Sequence, residues 1–160
     1  MAKDKVLTGA AGVHYVAFQL SARGYVVGLT PPGAQLFDLL VANPRTSKVI
    51  DIQVKTMRDA LTDTKKWGRY WCWRVGKKLA EAHSNEMFFL ALVDLREESP
   101  DTPDMPKQPD VYILRFAELK DNLGEEDAWC ILYEKPEPGW EVKSASEYRN
   151  RWDRIQKALA

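Results

Sequence analysis

The sequence contains little of what defines several common protein classes. Only two cysteines occur in 160 residues, Cys72 and Cys130, and they stand far apart. A disulfide framework or a structural zinc site needs more cysteines or closely spaced pairs, so we expect neither, and we expect a cytoplasmic protein. No run of about 18 apolar residues occurs, and no apolar run follows the first charges, so we expect neither a membrane span nor a secretory signal.

The chain also lacks a net charge, since 23 basic side chains balance 23 acidic ones. The charges are nevertheless unevenly distributed. Residues 1–82 carry 13 basic and 6 acidic side chains, whereas residues 83–160 carry 10 and 17. A neutral protein with one basic half can present a basic face to a polyanion. The alternative is that the two halves neutralise each other across the fold.

The composition is that of a globular domain, with 45% hydrophobic and 29% charged residues and a length typical of one domain. Helical spacing predicts a first helix from Thr8 to about Gly24 and an amphipathic closing helix over 148–159. The Pro-rich acidic segment 97–110 is predicted to be a loop. Strands are predicted over 25–30, 36–41, 49–55, 87–95, 111–116 and 129–134. These elements indicate one mixed α/β sheet with helices on its faces.

Residues 56–82 combine basic and aromatic side chains with a mixed periodicity, and we interpret them as a loop that passes into a helix near 76–83. The basic side chains are candidates for phosphate contacts, with an exposed aromatic ring stacking on a base. These nucleic-acid-binding candidates are Lys65, Lys66, Arg69, Arg74, Lys77 and Lys78. The alternative is that the tryptophans of this stretch are buried core residues.

The third predicted strand carries the most informative pattern. Its apolar residues alternate with a polar row, Asp51, Gln53 and Lys55, whose members lie about 7 Å apart on one face. A hairpin can bring Asp38 of the preceding strand beside this row. Oxygen donors hold Mg²⁺, and an ammonium group orients water and offsets negative charge, so the set suits phosphodiester hydrolysis. The alternative for Asp38 is a surface salt bridge with Lys48 or Lys55.

Three segments, in this order, resemble the PD-(D/E)XK nuclease superfamily. They are the helical segment 9–25, then Phe37-Asp-Leu-Leu-Val, then Ile52-Gln-Val-Lys-Thr. The resemblance covers about residues 8–95 and implies the restriction-endonuclease-like fold, which is also that of Holliday-junction resolvases and tRNA-splicing endonucleases. It implies a single domain over 1–160, with a core at about 8–95 and a C-terminal elaboration over 96–160.

The resemblance also implies roles for individual residues. Asp38 matches the metal-binding aspartate and Lys55 the catalytic lysine. Gln53 stands at the acidic position of the (D/E)XK element, where some subfamilies use glutamine, and the Val54 carbonyl oxygen matches a further metal ligand.

One position departs from the pattern. Many relatives carry a glutamate on the first helix directly after the glycine, whereas here Gly12 is followed by Val13. The site is therefore short of carboxylates. Asp51, on the same strand face as Gln53, is the candidate that would supply the missing charge to a metal ion.

The implied function is Mg²⁺- or Mn²⁺-dependent hydrolysis of DNA by a nucleic-acid-binding protein, with a homodimer expected because dimers are common among similar nucleases. Two alternatives stay open. One is a catalytically inactive nuclease-fold protein that binds nucleic acid. The other is an interaction or scaffold protein in which the polar row makes only internal salt bridges.

Overall fold

The described residues form three layers: a central five-stranded sheet, helices on one of its faces and a smaller sheet on the other. The structure is a computed structural model, and it describes residues 5–31, 37–81, 85–96, 108–123 and 129–160. The helices are α1 (Lys5–Ser21), α2 (Lys77–Ala80) and α3 (Asp153–Leu159), with 3₁₀ helices at Phe116–Asn122 and Ala145–Glu147. The strands are β1 (Val26–Leu29), β2 (Leu39–Ala42), β3 (Val49–Met57), β4 (Leu61–Thr64), β5 (Gly68–Arg74), β6 (Phe88–Asp94), β7 (Asp110–Arg115) and β8 (Trp129–Tyr133).

The central sheet has the order β1-β2-β3-β6-β7. β3 and β6 are parallel and the other neighbours are antiparallel, which confirms the predicted mixed α/β class. The predicted β2–β3 hairpin is present, and β3 is the middle strand. The C-terminal part of the chain completes this sheet, because β7 is one of its two edge strands.

β6 shows why the most apolar run of the sequence lies at the centre of the protein. All seven of its residues are buried, as the sequence predicts for a strand covered on both faces. Phe89, Ala91 and Val93 pack in a core with α1 and α3, whereas Leu90 and Leu92 pack in a second core on the opposite face.

That second core corrects the prediction of a single sheet. β4, β5 and β8 form a separate three-stranded sheet that covers the face of the central sheet opposite the helices. The stretch interpreted as a loop is the β4–β5 hairpin. Its alternation was obscured because aromatic residues occupy both faces: Trp71 and Trp73 are buried, whereas Tyr70, directly before Trp71, lies on the outer face.

The closing helix is also shorter than predicted. α3 covers only Asp153–Leu159, and Tyr148 lies before it and packs in the second core, not with Ile155. Most of the Pro-rich segment, 97–107, lies outside the described residues. Of the described helices, none is long and apolar enough to cross a membrane.

α1 approaches β3 very closely at Gly12. A Cβ atom at this position would lie 1.9 Å from the Thr56 side-chain oxygen, whereas a Cβ at Gly9, one turn earlier, would meet nothing within 4 Å. The Thr56 hydroxyl is buried and has no hydrogen-bond partner among the described residues. Gly12 therefore sets the distance between the helix and the strand that carries the polar row.

We expect Gly12→Ala to lower the free energy of unfolding by about 1–3 kcal/mol, because the added methyl group overpacks this contact. Gly9→Ala is the matched control, and it should raise stability by about 0.5–1 kcal/mol because alanine is the better helix former. Urea denaturation of both variants measures the difference. Equal effects from the two substitutions would contradict the close approach.

Candidate active site

The candidate site lies where β2 is shorter than β3. β2 begins at Leu39, opposite Ile52, whereas β3 continues to Met57. The Asp38 backbone N–H donates to the Ile52 carbonyl oxygen (2.9 Å), so the backbone groups of alternate β3 residues face β2. The next β3 residue whose backbone groups face this side is Val54. Because β2 begins opposite Ile52, no residue of β2 lies opposite the Val54 N–H and carbonyl oxygen.

Side chains fill this gap in the ladder. One Asp38 carboxylate oxygen, Oδ2, accepts hydrogen bonds from the Val54 backbone N–H (2.8 Å) and from Gln53 Nε2 (2.5 Å). Gln53 Nε2 also donates to the Val54 carbonyl oxygen (3.2 Å). The Asp38 and Val54 oxygens therefore converge on one point, which the Gln53 amide nitrogen occupies.

Asp38 is held in place from the side of β1. The Thr30 backbone N–H donates to the Asp38 carbonyl oxygen (3.0 Å), and the Thr30 hydroxyl donates to the Phe37 carbonyl oxygen (2.8 Å). The Phe37 side chain packs against the second core. The Asp38 carboxylate is thus directed at β3 by its neighbours on both sides.

Asp38, Gln53 and the Val54 carbonyl oxygen are brought together without being sealed from solvent. Gln53 is 9% exposed, and Asp38 and Lys55 are half-buried. Lys55 follows Gln53 on the same strand face, about 7 Å further along, and its ammonium forms no ion pair with a described residue. The salt-bridge alternative for Asp38 is not what the structure shows, because Asp38 bonds to Gln53 and Val54, and Lys48 donates to the Ala160 carbonyl oxygen.

Asp51 stands apart from this group. It lies on the same face but on the far side of Gln53, between its cross-strand neighbours Leu40 and Phe88. Burial raises its pKa, and its carboxylate makes no hydrogen bond to the part of the chain that the structure describes. Within those residues, no three His, Cys, Asp or Glu side chains form a group that could hold a metal ion. Any metal site here would depend on one carboxylate with neutral oxygens.

The six basic candidates are all exposed and fall into two groups. Lys65 and Lys66 form the turn between β4 and β5, whereas Lys77 and Lys78 lie on α2, beyond the other end of β5. A strand of this length separates the groups by about 20 Å. Arg74 ends β5, and Arg69, near its start, forms an ion pair with Glu134 (3.3 Å).

A second polar cluster, which the sequence did not predict, surrounds a cavity of about 250 Å³. Its buried member is Asp94, whose Oδ1 accepts hydrogen bonds from the backbone N–H groups of Ala60 (3.2 Å) and Arg96 (2.9 Å). Asp110 lies beside it and pairs with Arg96 (3.6 Å) and Arg149 (4.0 Å). The available signal was an acid at the end of the most apolar strand.

We expect Asp38→Ala to lower the free energy of unfolding by about 1–3 kcal/mol, because it leaves the Val54 N–H without its acceptor. Asp38→Asn is the matched control, since its amide oxygen can still accept that hydrogen bond and its stability should stay closer to the parent's. Urea denaturation without added metal checks this. An equally stable alanine variant would show that the carboxylate does not complete the ladder.

The buried Asp94 predicts a pH dependence. Burial raises its pKa above the ordinary value of 3.8, so the folded protein binds this proton more tightly than the unfolded chain does. The charged carboxylate therefore costs stability near neutral pH, and the cost disappears as the pH falls through the raised pKa. We expect Asp94→Asn to be at least as stable as the parent near neutral pH and to lose this advantage towards about pH 4.

Urea denaturation of Asp94→Asn at several pH values measures this effect. Asp63→Asn, at an exposed position on β4, is the control for loss of one negative charge. An Asp94→Asn variant that is less stable than the parent, with the largest loss at neutral pH, would contradict the conclusion that burial raises the pKa of Asp94.

No protein-family model matches the sequence, and comparison with curated proteins gives no significant match. Among solved structures, the fold is similar to that of a bacterial homing endonuclease, I-Ssp6803I, with a TM-score of 0.57 and 14% sequence identity. The alignment covers 96% of this chain and 93% of the endonuclease chain. At this level of identity the similarity establishes a shared fold, so the chain has a mixed α/β fold that is also found in a nuclease.

Proposed function

We propose that this protein is a nuclease of the PD-(D/E)XK superfamily that hydrolyses DNA with the help of Mg²⁺ or Mn²⁺. The observation that carries the proposal is the convergence of the Asp38 carboxylate and the Val54 carbonyl oxygen on one point beside the Gln53 amide. The shared fold with a homing endonuclease supports it independently.

The donor set suits a hard divalent cation. Asp38 supplies a carboxylate oxygen, Val54 a carbonyl oxygen and Gln53 an amide oxygen once its side chain rotates, and magnesium prefers such oxygen ligands. When bound, the cation would polarise the phosphoryl group and make water a stronger nucleophile. Asp51, the further ligand that the sequence suggested, lies on the far side of Gln53 and would have to move towards Asp38 to join this set.

Lys55 is the proposed catalytic lysine. Its ammonium lies on the face of Asp38 and Gln53 and is not neutralised by an ion pair with a described residue, so it is available to a phosphate or a water molecule. An ammonium at this position can orient the attacking water by donating a hydrogen bond to its oxygen, and it can offset the negative charge that develops on the phosphate.

The basic residues support binding of a polyanion. The exposed pairs at the two ends of β5 are Lys65 and Lys66, and Lys77 and Lys78. Groups of this kind contact phosphates at points along a nucleic-acid backbone. Dimers are common among similar nucleases, and two sites in a dimer can cut both strands of a duplex, so we include a homodimer in the proposal.

The second candidate function is nucleic-acid binding without hydrolysis. The shortage of carboxylates favours it, because Asp51 is not beside Asp38 and Val13 replaces the usual helix glutamate. Neutral ligands compete poorly with water for magnesium. Such a protein would keep the fold and the basic surface.

Cleavage of supercoiled DNA with Mg²⁺ or Mn²⁺ tests the proposal. We expect the parent to nick or cut the DNA, Asp38→Asn to be inactive, and Lys55→Ala to be about 10²–10³-fold slower because it loses one charge-stabilising donor. Lys157→Ala, at an exposed site on α3, is the matched control and should cleave like the parent.

Two outcomes separate the candidates. Binding that weakens steeply with salt, without cleavage in either metal, would support the non-catalytic function. Cleavage that Lys55→Ala retains at the parent's rate would refute the assigned site and point to a contaminating enzyme.

A further inference from the structure

The three-stranded sheet carries an aromatic groove on the face that points away from the core. Alternate residues of β5 and β8 point inward, so Tyr70 and Cys72 of β5 lie beside Ile131 and Tyr133 of β8 on the outer face. These side chains form the floor of a groove of about 810 Å³. That volume is in the range of sites that enclose small organic ligands.

The walls of the groove extend the aromatic surface. Trp67 comes from the β4–β5 turn, and Trp140 comes from the segment after β8. Their ring centroids are 6.3 Å apart, and Trp140 meets Tyr133 edge-on at 5.1 Å. Trp67 is 46% exposed and Trp140 is 41% exposed, so both keep ring surface open to a ligand.

A buried polar side chain borders the same groove. Asn122 is 4% exposed and lines the groove, and its Nδ2 donates to the Glu118 carbonyl oxygen (2.8 Å). Its Oδ1 is buried and has no hydrogen-bond partner among the described residues. An unsatisfied buried acceptor is unfavourable and is rare in folded proteins, so a ligand with an N–H donor would relieve it.

A cation lies at the mouth of the groove. The Lys66 ammonium is 4.7 Å from the centroid of the Trp67 ring. Arg74 is exposed at the far end of the same face of β5. Aromatic rings stack on a flat base, a hydrogen-bond acceptor binds the N–H groups at the edge of the base, and nearby cations bind its phosphate.

We propose that this groove binds unpaired bases of a nucleic acid. The bases stack on Trp67 and Trp140, and Lys66 contacts the adjoining phosphate. A base N–H donates to Asn122 Oδ1 once this side chain turns into the groove. This inference rests on the proposed function, and it adds a substrate feature, because a duplex with all bases paired would not fill the groove. The protein would therefore contact single-stranded or unstacked nucleotides near the phosphodiester bond that it cleaves.

The test measures binding of short single-stranded oligothymidylate by tryptophan fluorescence, with EDTA present and Lys55→Ala as the parent so that cleavage cannot interfere. An abasic strand of the same length presents the phosphates without the bases. We expect tighter binding and stronger quenching with bases. Trp67→Leu or Trp140→Leu should weaken base-dependent binding by about 5- to 150-fold, the measured effect of losing one stacked ring.

Two comparisons sharpen the result. Phe18→Leu, at an aromatic position on α1 that is 63% exposed, is the matched control and should bind like the parent. Methylation of the thymine N3 removes the base's N–H donor, so the modified strand should bind more weakly if Asn122 Oδ1 accepts from it.

Equal affinity for the abasic and base-bearing strands, or unchanged binding in both tryptophan variants, would overturn the inference. So would a change of self-association in Trp67→Leu with single-strand binding intact, since a second copy would then occupy the groove. Duplex cleavage without single-strand binding refutes only the groove. Single-strand binding without cleavage refutes only the proposed hydrolysis.

Discussion

The candidate site depends on one mismatch in strand length. Because β2 begins at Leu39 while β3 runs on to Met57, the Val54 backbone groups extend beyond the hairpin ladder. A buried backbone N–H must find a partner, and here the partner is a carboxylate placed one residue before β2. The same requirement that completes the sheet therefore places Asp38, Gln53 and the Val54 carbonyl oxygen at one point.

The two faces of β3 have different roles: one packs in the core, and the other carries the polar side chains of the candidate site. On one face, Ile50, Ile52 and Val54 pack in the core with the helices, and Gly12 lets α1 approach Thr56 closely. On the other face, the polar row borders the second core but stays partly open to solvent. A strand fixed firmly on its apolar side can hold polar side chains in a narrow range of positions on the other, as a preorganised site needs.

The juxtaposition of Asp38 and Gln53 was more predictable from sequence than the architecture around it. The alternation of polar and apolar residues in β3 is a local pattern, and Asp38 is the only charge of the preceding predicted strand. One hairpin between these two strands is enough to bring Asp38 beside Gln53. The second sheet did not follow, because it joins β5 to β8 across more than 50 residues and no local pattern encodes that pairing. Trp71 and Trp73 are core residues because they lie on the inner face of β5, whereas Trp67 lies in the turn before β5 and is exposed. The sequence pattern did not show that β5 is a strand, so it could not separate these tryptophans.

The glutamine at position 53 has a physical consequence for the stability of the fold. Gln53 is 9% exposed, and a glutamate there would place a second negative charge beside the Asp38 carboxylate in a partly buried site. Like charges at that distance raise one another's pKa and destabilise the fold. The glutamine amide instead donates to both neighbouring oxygens. The proposed metal ion would have to displace those two hydrogen bonds, so a glutamine here favours the stability of the fold over affinity for a metal.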